Sequence, residues 1–153
     1  MRRKNKVKIH KKTADKLIEG FLRRVEQANN SNEFIIRITK VYLFGSYVKG
    51  HDKVSDIDLA LVWERKADTM EEWDVMFKRN TDESYMRGAS YFQACCSYVT
   101  NMMKFLRNRK KSISLHDFDH DKDIVLKDEY KVIYETAPKY KLDIITNTQK
   151  GKV

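Results

Sequence analysis

Proline is nearly missing from this chain: Pro138 is the only one in 153 residues. No Pro-rich or Gly/Ser-rich tract and no internal repeat divides the sequence, so its length suits one domain with a core able to fold alone. Cysteine is limited to the adjacent pair Cys95-Cys96. Neighbouring thiols are badly placed for an ordinary structural disulfide, which excludes a disulfide framework. The pair reads instead as buried thiols on a helix in a reducing cytoplasm. No apolar run approaches a membrane span, and the N-terminus lacks the hydrophobic stretch of a secretion signal. The expectation is a cytoplasmic protein with no membrane partner. Glycine is also scarce, at five residues, and three of them (Gly45, Gly50 and Gly88) fall where the pattern of the chain breaks.

Acidic residues are in the minority, with 22 Asp and Glu against 31 Lys and Arg, for a formal charge of +9. This balance fits polyanionic ligands such as nucleoside triphosphates or RNA. Part of the charge sits in residues 1–12, where Arg2, Arg3, Lys4, Lys6, Lys8, Lys11 and Lys12 cluster. The cluster reads as a flexible basic arm, which either binds nucleic acid by counterion release or simply solubilises the terminus.

Residues 13–136 carry the pattern of a folded domain. Thr13 is a candidate N-cap for a helix to about Gln27, with Leu17, Phe21, Leu22 and Val25 on its apolar stripe. Asn29 to Asn32 break it, and Phe34 to Ile38 lead in extended form toward the strand Val41-Tyr42-Leu43-Phe44. After a loop at 65–68, residues 69–109 read as a helical insert of two helices, or one kinked helix, interrupted near Gly88. Met70, Trp73, Met76 and Phe77 supply the first stripe, and Phe92, Cys96, Val99, Met103 and Leu106 the second. These stripes are read as core, with a dimer or partner surface as the alternative, so a homo-oligomer stays open. Arg107, Arg109, Lys110 and Lys111 make a basic helix end that suits the helix dipole and precedes a strand at 112–118. Ile124 to Leu126 and Tyr130 to Tyr134 close the domain, and residues 137–153 form a polar tail.

The chemistry concentrates between residues 41 and 62. The strand ending at Phe44 runs into Gly45-Ser46-Tyr47-Val48-Lys49-Gly50. Gly45 allows close backbone approach, Ser46 supplies a hydroxyl and amide donors, and Gly50 can close a short helix in a left-handed cap. Such a turn can hold a phosphate. In the next strand, Asp56-Ile57-Asp58-Leu59-Ala60-Leu61, alternation puts Ile57, Leu59 and Leu61 on one face and Asp56 and Asp58 on the other. Two carboxylates at this spacing repel each other unless a divalent cation joins them. Mg²⁺ (or Mn²⁺) held by one or two carboxylates and substrate phosphates meets that need. Further on, Asp117, Asp119, Asp121 and Asp123 alternate, but a calcium loop would need glycine at Lys122 and glutamate at Asp128. This segment reads as a solvated connection. His116 and His120 match no cysteine pattern, so zinc is not expected.

Gly45-Ser46, nine further residues and Asp56-Ile57-Asp58 together resemble the signature of the DNA polymerase β-like nucleotidyltransferase superfamily. The flanking residues look most similar to its minimal nucleotidyltransferase branch, many of whose members pair with a HEPN-domain protein in toxin–antitoxin systems. The resemblance implies an α/β (α+β) fold: a small mixed sheet with helices packed on one face. It also implies that Gly45 and Ser46 bind the triphosphate and that Asp56 and Asp58 bind catalytic Mg²⁺. The family adds a third carboxylate from a later strand, and Ser112 to Phe118 is the candidate here. If Ile113 and Leu115 face the core, Ser114 and His116 lie on the active face. A bulge or one-residue shift would instead bring in Asp117, which is the residue favoured for the metal and catalytic role. The implied activity is transfer of AMP from ATP to an acceptor hydroxyl, with release of pyrophosphate, in an antitoxin-type setting. The alternative is a weak or inactive relative that regulates by binding a HEPN-like partner or RNA.

Overall fold

The computed structural model describes residues 8–127 and 129–137. Arg2, Arg3, Lys4 and Lys6 of the basic cluster, Asp128, and the tail from Pro138 lie outside the described residues. The chain starts with a two-residue strand, β1 (Ile9–His10), and helix α1 (Lys11–Asn29). Ala14, Phe21, Val25 and Ala28 are its buried stripe. The helix begins three positions before the expected Thr13 cap, at His10, which makes no side-chain capping bond. A backbone bond from the Lys11 N–H to the Asp52 carbonyl (2.9 Å) and the pairing of β1 with β3 (Lys53–Val54) hold this end instead.

Strands β2 (Ile36–Phe44), β4 (Ile57–Arg65), β5 (Ile113–Asp117) and β6 (Tyr130–Glu135) form a mixed sheet in the order β5-β4-β2-β6. Strand β5 runs parallel to β4, and the other pairs are antiparallel. Ile38, Val41, Leu43, Ile57, Leu59, Leu61 and Ile113 share one buried cluster with Phe21 and Val25 of α1 and with Met102 and Leu106. The other face is covered over Tyr42, Phe44 and Ala60 by Val125 of a short helix, α4 (Phe118–Lys127). Central strands covered on both faces carry nearly continuous apolar residues, which is why β2 does not alternate cleanly.

Helices α2 (Met70–Met86) and α3 (Tyr91–Arg107) form the helical region after β4. The Thr69 hydroxyl caps α2 by accepting the Glu72 N–H at 3.1 Å, and Ser90 with Gln93 makes a reciprocal capping box at α3. Gly88 joins the helices at φ +91°, a left-handed backbone suited to glycine. The inward side of α3 is rotated from the expected stripe. Ala94, Met102 and Leu106 are buried, whereas Phe92 is 75% exposed. The rotation follows the aromatic contacts of Tyr98, whose ring meets Trp63, Trp73 and Phe77 at 5.9, 5.5 and 5.8 Å. Met70, counted in the α2 stripe, is likewise exposed. Cys95 and Cys96 are free thiols, each only half-buried. Among the described residues no helix is long and apolar enough to cross a membrane.

Asn29, at the end of α1, joins three elements. Its side chain accepts the Ile38 N–H (2.8 Å) and donates to the Ile38 carbonyl (2.9 Å) and the Tyr134 hydroxyl (3.1 Å). Strand β2 shifts register between Ile38 and Lys40, so Asn29 serves backbone groups at an irregularity in the ladder. Removing it leaves both Ile38 groups without that partner, at about 1–3 kcal/mol for each group left unsatisfied. Asn29→Ala is therefore expected to lower the unfolding free energy by about 2 kcal/mol or more, read as a lower urea midpoint at unchanged m-value. An unchanged midpoint would show that water replaces the side chain without cost.

Candidate functional site

The site begins where β2 ends. Phe44 pairs with Asp58 across the β2–β4 ladder, and the next residue, Gly45, has φ +84°. A Cβ built on Gly45 would lie 2.4 Å from Asp58 Oδ2. Glycine is thus required twice, for its backbone angle and for the room it leaves to the carboxylate. Residues 46–50 form a turn rather than a short helix, closed by a Gly50 N–H to Tyr47 carbonyl bond (3.2 Å) with Gly50 at φ +82°. Ser46 is half-buried in this turn.

Contacts with α1 anchor the connection from the turn to the aspartates. The Tyr47 hydroxyl donates to Asp15 Oδ1, and burial together with this carboxylate pushes the phenol up to about 12. Lys11 Nζ sits 5.5 Å from the Tyr47 ring centre, and Ile9 pairs with Val54. The chain then reaches half-buried Asp56, which immediately precedes β4, and Asp58 within it. Ile57, Leu59 and Leu61 are fully buried on the opposite face, so the alternation read from the sequence is the one adopted.

The parallel ladder from β4 to β5 places the later strand. Ile57 pairs with Ile113, Asp58 with Ser114, Ala60 with His116 and Leu61 with Asp117. The residue beside Asp58 is therefore Ser114. Asp117, the favoured third carboxylate, is in register with core-facing Leu61, and its Oδ1 accepts the Asp119 N–H at 3.0 Å in the first turn of α4. The structure does not bring it together with Asp58. The register shift needed to recruit it is absent because Ile113 is fully buried in the core.

Ser114 and His116 occupy the active face. His116 Nε2 lies 3.2 Å from Ser114 Oγ and 3.5 Å from Asp58 Oδ1, while Nδ1 lies 3.0 Å from Asp121 Oδ2. The bond to Asp58 is the main cause raising the His116 pKa; burial opposes it, and Asp121 adds to it. Asp121 is in turn held below the usual carboxylate range by His120, 2.8 Å away, and by His116. The alternating aspartates make Asp121 read, in sequence, only as part of a solvated acidic connection. That segment is helical, and Phe118, Asp121 and Val125 at i, i+3 and i+7 share the face turned to the sheet. This spacing was the available signal.

The donor set decides what a metal could find here. Asp56 and Asp58 are hard oxygen ligands that suit one Mg²⁺ completed by substrate phosphates and water. The third position offers a hydroxyl and an imidazole, and imidazole is a poor partner for Mg²⁺. Among the described residues no group of three or more His, Cys, Asp or Glu is arranged to hold a metal ion. The residues fit one cation shared with substrate, and do not fit a three-carboxylate, two-metal site.

No curated protein and no solved structure matches the chain significantly. Residues 26–87, from the end of α1 through the Gly-Ser turn and both aspartates to the end of α2, match the family model described as "Polymerase beta, Nucleotidyltransferase". The match supports the DNA polymerase β-like superfamily for this segment, and the mixed sheet with its helices agrees with a nucleotidyltransferase-type fold.

Proposed function

We propose that this chain moves a nucleoside monophosphate, from ATP or another nucleoside triphosphate, onto an acceptor hydroxyl. The acceptor oxygen bonds to the α-phosphorus, the bond to the pyrophosphate oxygen breaks, and the acceptor proton is released. The observation that supports this reading best is the contact of Gly45 with Asp58: the phosphate turn and the metal-type carboxylate are built as one unit. In this reading Ser46 and the turn amides hold the β- and γ-phosphates. Asp56 and Asp58 would hold a Mg²⁺ ion, which when bound offsets charge on the phosphates. His116, itself oriented by Asp121, holds the Asp58 carboxylate in place, so that most of the rate comes from positioning and electrostatics.

One observation favours a second reading. Ser114 stands where the superfamily resemblance calls for a carboxylate, which fits a protein that binds nucleotide but transfers it weakly and acts through a partner protein.

The two readings separate on transfer from ATP labelled at its α-phosphorus, followed as pyrophosphate release with Mg²⁺ and candidate acceptors. Asp58→Asn is expected to cut the rate about 100-fold or more, on the scale of one lost electrostatic stabiliser. Transfer that persists in Asp56→Asn/Asp58→Asn would refute the assigned site. If the natural chain binds nucleotide without transferring it and Ser114→Asp gains the reaction, the second reading holds. Gly45→Ala should weaken binding of a fluorescent ATP analogue at least tenfold, because its Cβ displaces Asp58. The left-handed backbone adds about 1 kcal/mol of destabilisation in thermal melts. Normal analogue affinity in that variant would separate the turn from the carboxylate.

A further inference from the structure

Three concavities run along one side of α3 and meet one another. The largest, about 650 Å³, is lined by residues that include Asn32, Phe34, Arg79, Asn80 and Asn101. It shares Arg87, Asn101 and Lys104 with a second of about 370 Å³. That one shares Thr100 and Lys104 with a third of about 290 Å³, which ends at Arg107, Ser114 and Leu115. Lys104 borders all three, and the last opens at the register partner of Asp58. Along α3 the polar contributing positions are Gln93, Ser97, Thr100, Asn101, Lys104 and Arg107, with apolar Met103 between them. These form a polar stripe at helical spacing beside the buried one.

The chemistry of this trough points to one class of ligand. Four cations line it (Arg79, Arg87, Lys104 and Arg107) against two carboxylates, Glu33 and Glu83. All four cations are exposed, so they are available to an incoming polyanion. The amides of Asn32 and Asn101 offer paired donors and acceptors, as base edges require, while Asn80 donates to Ser97 Oγ at 2.6 Å. Half-buried Phe34, at 5.1 Å from the Phe105 ring, adds an aromatic surface. Cations that follow a backbone, together with an aromatic surface in a concave track, suit a single strand, whose unpaired bases are free to stack and to present their edges. A duplex keeps its bases stacked and paired, and offers the aromatic surface no free base face. The formal charge of +9 draws such a ligand from a distance.

We propose that this trough binds single-stranded RNA and leads a terminal hydroxyl of the strand to the active face beside Ser114. The acceptor role rests on the nucleotidyl-transfer reading above; the binding role does not.

The test uses the full chain and a short fluorescein-labelled single-stranded RNA, read by anisotropy across a salt series. Arg87→Glu/Lys104→Glu is compared with Lys16→Glu/Arg23→Glu, which changes net charge equally at exposed positions of α1, outside both the trough and the basic cluster of residues 1–12. The trough variant is expected to lose at least tenfold in affinity. Its slope of log affinity against log salt should fall by about 1.4, for two phosphate contacts on a single strand. The α1 variant should change affinity less than twofold. Equal losses in both variants would mean general charge attraction and overturn the trough, as would no loss in either. Duplex RNA binding as tightly as the strand, or displacement by an equal concentration of polyglutamate, would overturn it too. Single-stranded DNA of the same sequence is the competing strand; tighter binding or faster labelling of DNA than of RNA would overturn RNA as the ligand. Asp58→Asn should bind the strand normally and fail to label it. Normal binding without labelling by the natural chain would refute the acceptor role while leaving the trough intact; the transfer reading itself fails only if no candidate acceptor releases pyrophosphate.

Discussion

The site depends on a steric fit between one carboxylate and one missing side chain. The β2–β4 register sets Phe44 opposite Asp58, so the chain must turn away from β2 directly beside that carboxylate. Only glycine at 45 accommodates both the left-handed turn and the 2.4 Å that a Cβ would otherwise leave. The sheet register, the turn and the position of Asp58 are thus one constraint. Contacts from α1 through Tyr47 and β1 keep the intervening loop from relaxing it.

The same carboxylate links the site to the far edge of the sheet. His116 reaches Asp58 from β5 and is itself held from α4 by Asp121. Helix α4 in turn is seated by Val125 and by the ring of Phe118 stacked on Tyr42 at 4.3 Å. Packing on the face away from α1 and α3 therefore orients a polar group on the active face. Phe44, whose ring meets the His116 ring edge-on at 5.1 Å, makes the last strand residue before the turn part of the same arrangement.

Most of this core was legible from residues 41 to 62, because two strong local rules act there together. Strand alternation separates Ile57 and Leu59 from the aspartates, and a glycine ends the preceding apolar run. Helix α4 was hidden for the opposite reason. Four aspartates at every second position imitate an exposed extended segment, and its inward face carries a carboxylate, Asp121, whose partner lies in another element. The phase of α3 is not legible in the sequence because Phe92 is as apolar as Tyr98, and only the aromatic neighbours of Tyr98 decide which one turns inward. The early start of α1 rests on a backbone bond to Asp52, an interaction to which side-chain patterns are blind.

Energetics also decide between Ser114 and Asp117. Moving β5 by one residue to bring Asp117 round would turn Ile113 out of the core and His116 into it. Exposing a fully buried Ile forfeits about 2–3 kcal/mol, and Leu115 would add part of a similar amount. Burying the imidazole away from Asp58 and Asp121 would cost more, since its polar atoms would lose their partners. Asp117 would also give up the Asp119 N–H, a helix-start interaction of about 1 kcal/mol. A domain of this size has roughly 5–15 kcal/mol of stability in all, so the shifted register is not an accessible state of the folded chain. Any chemistry on this face must therefore proceed with Ser114 and His116 beside Asp58.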